Sequence, residues 1–335
     1  MVPVLTGMNA RIVTTATLFT AFAGVLTARA ADSQLLGLVM PDAKVLAGVN
    51  VDQAKASPFG LYVLTQMQSA NSGLQALIAL TGFDPTRDVH ELLAASNSTP
   101  GAQTHTGLAL ARGNFDPATI TALATGKGAT TEVHGGITII EDPKQTAGLA
   151  FLDPTLAIAG DLASVKAAID RPGTGESLPS AVIAQVNQWS NSEDAWVITT
   201  VPPSSLAPVP AAPSATATGA ASAVQGIFQQ VQQAAGGVKF GNSVVGTAAV
   251  QVDTAQNANQ MASALQFLVN MAQMQSQNSP QVAALAQGLA ITAQGSTVKI
   301  SLTMPQAQFQ QFLQQQKRAV LNPGRVNPAR GAVRN

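Results

Sequence analysis

The residues of this chain that are best suited to chemistry lie close together at positions 83–91, in the stretch FDPTRDVHE. Two Asp, an Arg, a His and a Glu gather there, although only 10% of the chain is charged. Two carboxyl groups about 5 to 9 Å apart can hydrolyse a glycosidic bond, one as acid and the other as base or nucleophile. The acids available for such a pair are Asp84, Asp88, Glu91 and the more distant Glu141.

A repeated dipeptide favours a structural role for acids of this kind. Asp precedes Pro at four places, and the Pro ring suits the first turn of a helix or loop. The four acids are Asp84, Asp116, Asp142 and Asp153. An Asp in this position accepts hydrogen bonds from backbone amides that lack a partner, which contributes about 1 kcal/mol. Because a catalytic carboxylate is not expected to recur in this way, we predict capping and assign no catalytic residue.

The three histidines do not form a metal-binding pattern. No second His lies three or four residues from His90, His105 or His134, as a helical pair of zinc ligands requires. His90 and Glu91 are adjacent, so on a strand their side chains point to opposite faces. His90 and His105 could meet across an antiparallel pair, yet two ligands without a third make a poor zinc site. The chain has no Cys, and we predict no metal site.

Patterns for nucleophilic catalysis and for nucleotide binding are also missing. The sequence has no Cys nucleophile and no Gly-x-Ser-x-Gly elbow. Its Gly-rich pieces at 126–128, 135–136 and 236–237 lack the spacing of a phosphate-binding loop. We therefore expect no nucleotide and no other cofactor.

The charge balance excludes partners that are gathered by a strong electric field. Lys and Arg together number 17, as do Asp and Glu, so the formal net charge is zero. No long-range potential attracts nucleic acid, and we predict no nucleic-acid partner. A charge-poor surface has little electrostatic protection against association. This composition favours self-association, or binding to an envelope component or a protein partner.

The first thirty residues are typical of an export signal. Arg11 precedes an uncharged run from Ile12 to Thr27, and the small residues Ala28 and Ala30 suit a signal peptidase. The run is shorter than the roughly 20 apolar residues of a membrane span. We predict cleavage after Ala30, which places the mature protein outside the cytoplasm, in the periplasm or secreted. The alternative is a signal that is retained as an anchor.

The mature chain is predicted to have an α+β fold with antiparallel β-sheets and helices packed on one face. Short apolar runs between Gly or Asp-Pro turns indicate hairpins, and apolar residues every three or four positions indicate helices. A hairpin leads directly into a helix at 149–169 and again at 289–313. We therefore predict two loosely repeated halves, each containing a β-β-α unit.

Composition divides the chain into five segments. A charge-free stretch rich in Pro, Ala and Ser separates the halves and is typical of a linker or loop. The last stretch is basic, without acids, and is expected to be disordered. The second half is expected to open with a helix over 224–234. The segments are a signal peptide at 1–30, a first α+β domain at 31–201, the linker or loop at 202–222, a second α+β domain at 223–316 and the basic tail at 317–335.

Three stretches resemble a group of uncharacterised exported proteins from Acidobacteria-like bacteria, a domain of unknown function. They are LGLVMPDAKVLAGVNVD at 36–52, GFDPTRDV at 82–89 and FGNSVVGTAAVQVDT at 240–254. The group is marked by P-x-D-A and G-F-D-P-x-x-D-V motifs. The resemblance implies export and the architecture above, and it implies no activity and no catalytic residue.

These features predict an exported protein that binds or assembles and is not an enzyme. Two alternatives remain open. One is a carboxylate-dependent hydrolase of glycosidase type, in which the sheet brings Asp84, Asp88, Glu91 and Glu141 together. The other is a carrier that encloses an apolar ligand between the sheet and its helices.

Overall fold

The computed structural model describes residues 31–70, 78, 82–98, 106–206, 229–275 and 285–310. Within them the strands form one twelve-stranded sheet in which every neighbouring pair is antiparallel. This arrangement of helices and antiparallel strands confirms the predicted α+β class. The predicted signal peptide, most of the predicted linker and the predicted basic tail lie outside the described residues.

The bounds of the described elements are as follows. The strands are β1 Val45–Asn50, β2 Val89–Ser96, β3 Gly107–Gly113, β4 Thr130–His134, β5 Ile137–Glu141, β6 Ala147–Asp153, β7 Leu156–Asp161, β8 Ala195–Thr199, β9 Val231–Lys239, β10 Ser243–Val252, β11 Leu289–Gln294 and β12 Thr297–Pro305. The α-helices are α1 Ser33–Gly37, α2 Val51–Lys55, α3 Pro58–Ala70, α4 Pro85–Asp88, α5 Pro117–Gly126, α6 Leu162–Asp170, α7 Ser180–Ser192 and α8 Ala255–Gln275. Two 3₁₀ turns lie at Arg171–Gly173 and Pro203–Ser205.

The sheet repeats one topology on either side of its centre. Its strand order is β11-β12-β10-β9-β8-β1-β2-β3-β7-β6-β5-β4. The central pair, β1 and β8, each begin a three-stranded meander that runs outward. A helix then leads to a hairpin whose last strand pairs with the third strand of the meander, β7 with β3 and β12 with β10.

The repeat moves the boundary between the two predicted halves, but both halves belong to one sheet. Strand β8, which the sequence places at the end of the first half, begins the second meander. The first half also contains the additional hairpin of β4 and β5. The sheet runs without interruption from one half to the other, and the division into two domains stays a prediction.

One face of the sheet, called face A, carries the larger core. Its buried side chains come from alternate positions of the central strands, as the period of two in a strand requires. They include Leu46, Leu93, Leu110, Ile158 and Ile198. Helices α1, α6 and α7 cover this face and add buried side chains, among them Leu35, Val165 and Val186.

The opposite face, called face B, carries a second core under α8. Val250 of β10 is paired with Val298 of β12, and both belong to the apolar cluster that includes Met261 of the helix. The sequence predicts helices on one face of the sheet, whereas the structure has helices on both faces. The reason lies in the alternation of side chains along β10. Val250 and Val252 lie on face B, whereas Thr247 and other residues of the strand lie on face A. The apolar side of β10 is thus turned to face B.

Strand β9 corrects the end of the helix predicted over 224–234. Residues 231–234 belong to the strand Val231–Lys239, which is hydrogen-bonded to β8 on one side and β10 on the other. Ala and Gln favour helices by intrinsic propensity, but two ladders of backbone hydrogen bonds outweigh a preference of a few tenths of a kcal/mol per residue. Gln229 is helical, as predicted, and residues 224–228 lie outside the described part of the chain.

An aromatic cluster connects the two halves outside the sheet. Helix α3 begins at Pro58 as predicted, with Ser57 Oγ accepting a hydrogen bond from the Gly60 N–H at 2.9 Å. The next residue, Phe59, is buried, and its ring lies 5.3 Å from that of Phe240 and 5.1 Å from that of Phe309. Apolar contact therefore holds this helix against residues of the second half.

Candidate binding site

The four acids that precede Pro accept hydrogen bonds from backbone amides, as predicted. Asp84 Oδ1 accepts from Thr86 N at 2.9 Å, and Asp116 Oδ1 accepts from Thr119 N at 3.1 Å, each at the start of a helix. In turns, Asp142 Oδ1 accepts from Thr146 N at 2.6 Å, and Asp153 Oδ1 accepts from Thr155 N at 2.6 Å. These carboxylates are therefore committed to local folding.

Three of these carboxyls have a lowered pKa, which agrees with capping by the charged form. The hydroxyl and backbone amide of Thr119 lower the pKa of Asp116. Amides led by that of Ala147 lower the pKa of Asp142, and hydrogen bonds from Thr155 lower the pKa of Asp153. A carboxyl held ionised in this way is poorly suited to act as a general acid at neutral pH.

The four acids proposed for a hydrolase do not all come together. Asp84 and Asp88 lie on α4, where the Asp84 N–H donates to Asp88 Oδ2 at 2.8 Å. Glu91 is on β2 and accepts from Asp32 N at 3.2 Å. Glu141 is on β5, four strands away across the sheet, which corresponds to roughly 19 Å at about 4.8 Å per strand. That separation exceeds the span of a glycosidase pair and excludes Glu141 as the partner of Glu91.

Glu141 belongs instead to a charged cluster between the edge hairpin and α6. Lys166 of α6 contacts Glu132 at 2.7 Å, and Glu141, which is buried, lies beside this pair. The hydrogen bond to Glu132, together with burial, raises the pKa of Glu141, whereas Lys166 lowers the pKa of Glu132. Asp170, one turn further along α6, contacts His134 at 2.9 Å. The cluster fastens β4 and β5 to the helix.

The described histidines form pairs rather than metal sites. His90 Nδ1 lies 3.0 Å from Asp52 Oδ1, and its Nε2 lies 3.1 Å from Asn114 Nδ2. His134 pairs with Asp170 as above, and His105 lies outside the described residues. Among the residues that the structure describes, no three His, Cys, Asp or Glu side chains gather as a metal site would require.

A polar groove lies on face A of the second half, between α7 and strands β10 to β12. We call it the α7 groove. Most of its lining can both donate and accept hydrogen bonds without carrying charge: Gln188, Ser192, Thr247, Gln294 and Thr297. The remaining lining is Trp189, Glu193, Ala249 and Lys299. Its volume of about 450 Å³ is that of an ordinary small-molecule site.

The periodicities of helix and strand explain why these side chains meet. On α7, Val182, Val186 and Trp189 pack toward the core. Gln185 and Gln188 lie on an adjacent stripe of the same helix. On the sheet, the apolar residues of β10 and β12 lie on face B. Because side chains alternate between the faces of a strand, the polar residues next to them lie on face A.

Glu193 is the buried acid of the groove. Its residue is only 8% exposed, and its Oε2 has no hydrogen-bond partner among the described residues. Burial raises the pKa of Glu193, although a hydrogen bond to Thr247 and the charges of Lys239 and Lys299 oppose that rise. Glu193 thus lines the groove, and its Oε2 is a buried acceptor that no described residue satisfies.

A glycine on the neighbouring strand makes room for this acid. A Cβ on Gly237 of β9 would lie 2.5 Å from Glu193 Cγ, so a larger residue cannot occupy the position without movement. The adjacent Asp194 fixes the backbone between α7 and β8. Its carbonyl accepts a hydrogen bond from Asn50 N at 2.8 Å, and its Oδ2 accepts one from Phe240 N at 2.6 Å. Asp194, next to Glu193, is thus hydrogen-bonded to residues of both halves.

Local sequence patterns indicate little of this site. The Gly236-Gly237 pair fails as a phosphate loop, and the adjacent acids Glu193 and Asp194 belong to none of the patterns that predict chemistry. The usable signal is an acid pair directly after a helix with a Gln stripe, in a chain with few charges. The burial of Glu193 depends on β9, whose first residues local propensity assigns to a helix.

The comparisons with known proteins concern the fold alone. The chain matches no protein-family model and no curated protein. Among solved structures it is similar to crystal form III of a protein called TP0453, with a TM-score of 0.52 and 10% identity over 84% of this chain and 97% of that one. Crystal forms I and IV of TP0453 give TM-scores of 0.47 and 0.46, at 10% and 11% identity, over 84% and 83% of this chain and 96% and 95% of those.

Within the described residues, no helix combines the length and the apolar character that crossing a membrane requires.

Proposed function

We propose that this chain is an exported binding protein that holds a polar ligand in the α7 groove and has no enzymatic activity. The observation that carries the proposal is the carboxyl of Glu193, buried in the groove with Oε2 unpartnered among the described residues. A buried polar atom without a partner costs about 1–3 kcal/mol. Oε2 is shielded from solvent, so a ligand that donates a hydrogen bond to it, and removes this cost, must draw the carboxyl toward the groove. Export follows from the predicted signal at 1–30.

The composition of the groove supports binding over hydrolysis. Among the described residues that line it, Glu193 supplies the one carboxyl group. A glycosidase uses two carboxyls, about 5 to 9.5 Å apart. The other polar groups of the lining are amides, hydroxyls and one ammonium, which recognise a ligand but do not replace the second acid.

Native mass spectrometry tests the proposal with a mixture of candidate ligands. The mature chain is incubated with the low-mass fraction of an enzymatic digest of bacterial cell envelope, and its mass is then measured under non-denaturing conditions. We expect a discrete mass increase with the unmodified protein. Ala249→Phe, which fills the groove, should abolish it.

Ala290→Phe is the matched control for this experiment. Ala290 is exposed on the edge strand β11 and does not line the groove, so the same substitution there leaves the groove open. The mass increase should persist in this variant. If no adduct forms with any protein, or if Ala249→Phe keeps it, the proposal is wrong.

A second cleft supports a different candidate, a carrier of an apolar ligand. Helix α5 has no fully buried residue and lies over a cleft of about 560 Å³. Ala118, Ala122 and Phe151 contribute apolar surface to it. A single acyl chain fits such a lining better than a polar ligand does. Lipid extraction of the purified protein, followed by mass spectrometry, tests this candidate, and Ala122→Trp should remove any lipid bound there.

A further inference from the structure

We infer that the ligand of the α7 groove is an uncharged oligosaccharide, an inference that rests on the binding function proposed above. The groove combines dense uncharged hydrogen-bonding groups, a buried acceptor and part of a Trp side chain, and it adjoins a second polar pocket. Each feature narrows the class of ligand.

The charges around the groove favour a neutral ligand. The ionisable groups that act on Glu193 are Lys239, Lys299 and Asp194. With Glu193 ionised, these four groups carry two positive and two negative charges. Their charges sum to zero, so no net charge of the groove favours a cationic or an anionic ligand.

The hydrogen-bonding groups match hydroxyl groups of a ligand. A side-chain amide or hydroxyl both donates and accepts, as does each hydroxyl of a sugar. Gln188, Thr247, Gln294 and Thr297 present such groups around the groove. Glu193 Oε2 adds an acceptor that needs a donor, and a sugar O–H supplies one.

An extension of the groove suits a chain of sugar rings. Trp189 is mostly buried in the core, and the small part of its side chain that lines the groove adds apolar surface for the C–H groups of a ring. A second pocket of about 170 Å³ shares Gln188, Trp189 and Thr297 with the groove and extends it toward Gln185 and Gln251. Glutamine thus lines both parts, and more than one ring can be contacted.

Isothermal titration calorimetry of the mature chain at pH 7 tests the inference. The probes are cellotriose, maltotriose and N,N′,N″-triacetylchitotriose, with triglycine as the zwitterionic comparison. We expect saturable binding of at least one trisaccharide and none of triglycine. Glu193→Leu and Gln188→Ala should each weaken that binding about tenfold, the usual effect of one lost hydrogen bond.

Two control variants make the same chemical changes elsewhere. Glu176→Leu and Gln232→Ala alter exposed residues outside the groove, so their affinities should equal that of the unmodified protein. The melting temperature of every variant shows whether it is folded. A second groove variant, Thr297→Ala, replaces any variant that fails this check and should also bind about tenfold more weakly.

The outcomes separate the inference from the proposed function. Trisaccharide binding that all variants share equally overturns the placement in the groove. Binding of triglycine but of no trisaccharide, with the same dependence on Glu193 and Gln188, overturns the ligand class and leaves the binding function standing. No binding of any probe overturns the inference, and the envelope-digest experiment then decides the binding function alone.

Discussion

At the scale of single residues, the acids divide according to what satisfies their oxygens. Those before Pro receive backbone N–H groups close in sequence, whereas Glu193 and Glu141 are buried and each keeps one oxygen unpartnered among the described residues. The first arrangement stabilises turns and helix starts. The second leaves an acceptor for another group. The burial of a carboxyl group and its hydrogen-bond partners thus distinguish a structural carboxyl from a candidate binding carboxyl. Residue type alone does not make this distinction.

Removal of one cap should cost measurable stability. Asp161 begins α6, with Oδ1 accepting from Ser164 N and Oδ2 accepting from Gly107 N of a neighbouring strand, both at 2.9 Å. We expect Asp161→Ala to lower the free energy of unfolding by about 1–2 kcal/mol in urea titrations. Asp253→Ala, whose exposed carboxylate accepts from the Asn257 side chain, should change it by less than about 0.5 kcal/mol. Equal effects would contradict the capping role.

Glu141 should make the fold less stable as pH rises. Its pKa is raised by the hydrogen bond to Glu132 and by burial, so the folded protein favours the protonated carboxyl. The stabilisation is complete below the unfolded pKa of about 4.3 and is lost as pH rises through the folded pKa. Glu141→Gln keeps a hydrogen-bond donor without the charge.

We therefore expect Glu141→Gln to melt several degrees higher than the unmodified protein at pH 8 and at the same temperature at pH 4. Differential scanning calorimetry at both pH values measures this. Glu176→Gln, at an exposed position, should match the unmodified protein throughout. A lower melting temperature for Glu141→Gln at pH 8 would show that the ionised carboxyl is required.

At the scale of elements, one site is built from two periodicities. Helix α7 turns its apolar stripe to the core and its Gln stripe to the groove, while β10 turns its apolar side to α8 and its polar side to the groove. The polar residues therefore line the groove because the apolar residues of the same elements lie in the two cores.

Gly237 should be required for this arrangement. A Cβ there would meet Glu193 Cγ at 2.5 Å and the Ala195 carbonyl at 3.0 Å, so Gly237→Ala must displace side chain or backbone. We expect a loss of about 1–3 kcal/mol in the free energy of unfolding. At Gly246 on β10 no atom lies within 4 Å of an added Cβ, and Gly246→Ala should be neutral or slightly stabilising. A stable Gly237→Ala protein that binds ligand normally would count against the site.

Local interactions could be predicted from the sequence, and distant ones could not. Capping by Asp84 and the start of α3 depend on neighbours within four residues, and both are predicted correctly. Strand β9 depends on pairing with β8 and β10, so local propensity misassigns its first residues. Glu193 is buried by a strand that is distant in sequence. The acid pair after a helix with a Gln stripe is the one local signal for this residue, and that signal does not reveal its burial.

At the scale of the whole molecule, the central pair β1 and β8 joins both halves of the sheet. Gly48 of β1 lies directly under Trp196 of β8, where an added Cβ would be 2.5 Å from the indole ring. We expect Gly48→Ala to lower the free energy of unfolding by about 1–3 kcal/mol.

Because the sheet is continuous, unfolding should be one cooperative transition. Far-ultraviolet circular dichroism reports both halves, and tryptophan fluorescence reports the centre, where Trp189 and Trp196 lie. In Gly48→Ala the two signals should shift together to lower urea concentration. Separate transitions, with only one displaced, would show that the halves unfold independently, as two predicted domains could.

The most direct test of oligosaccharide binding in the α7 groove is a crystal structure of the mature chain with the trisaccharide that binds most tightly in calorimetry. We predict density for sugar rings along α7, with a hydroxyl within hydrogen-bonding distance of Glu193 Oε2 and another near Gln188. Sugar bound elsewhere, with the groove occupied only by water or by residues of the chain itself, would contradict this function.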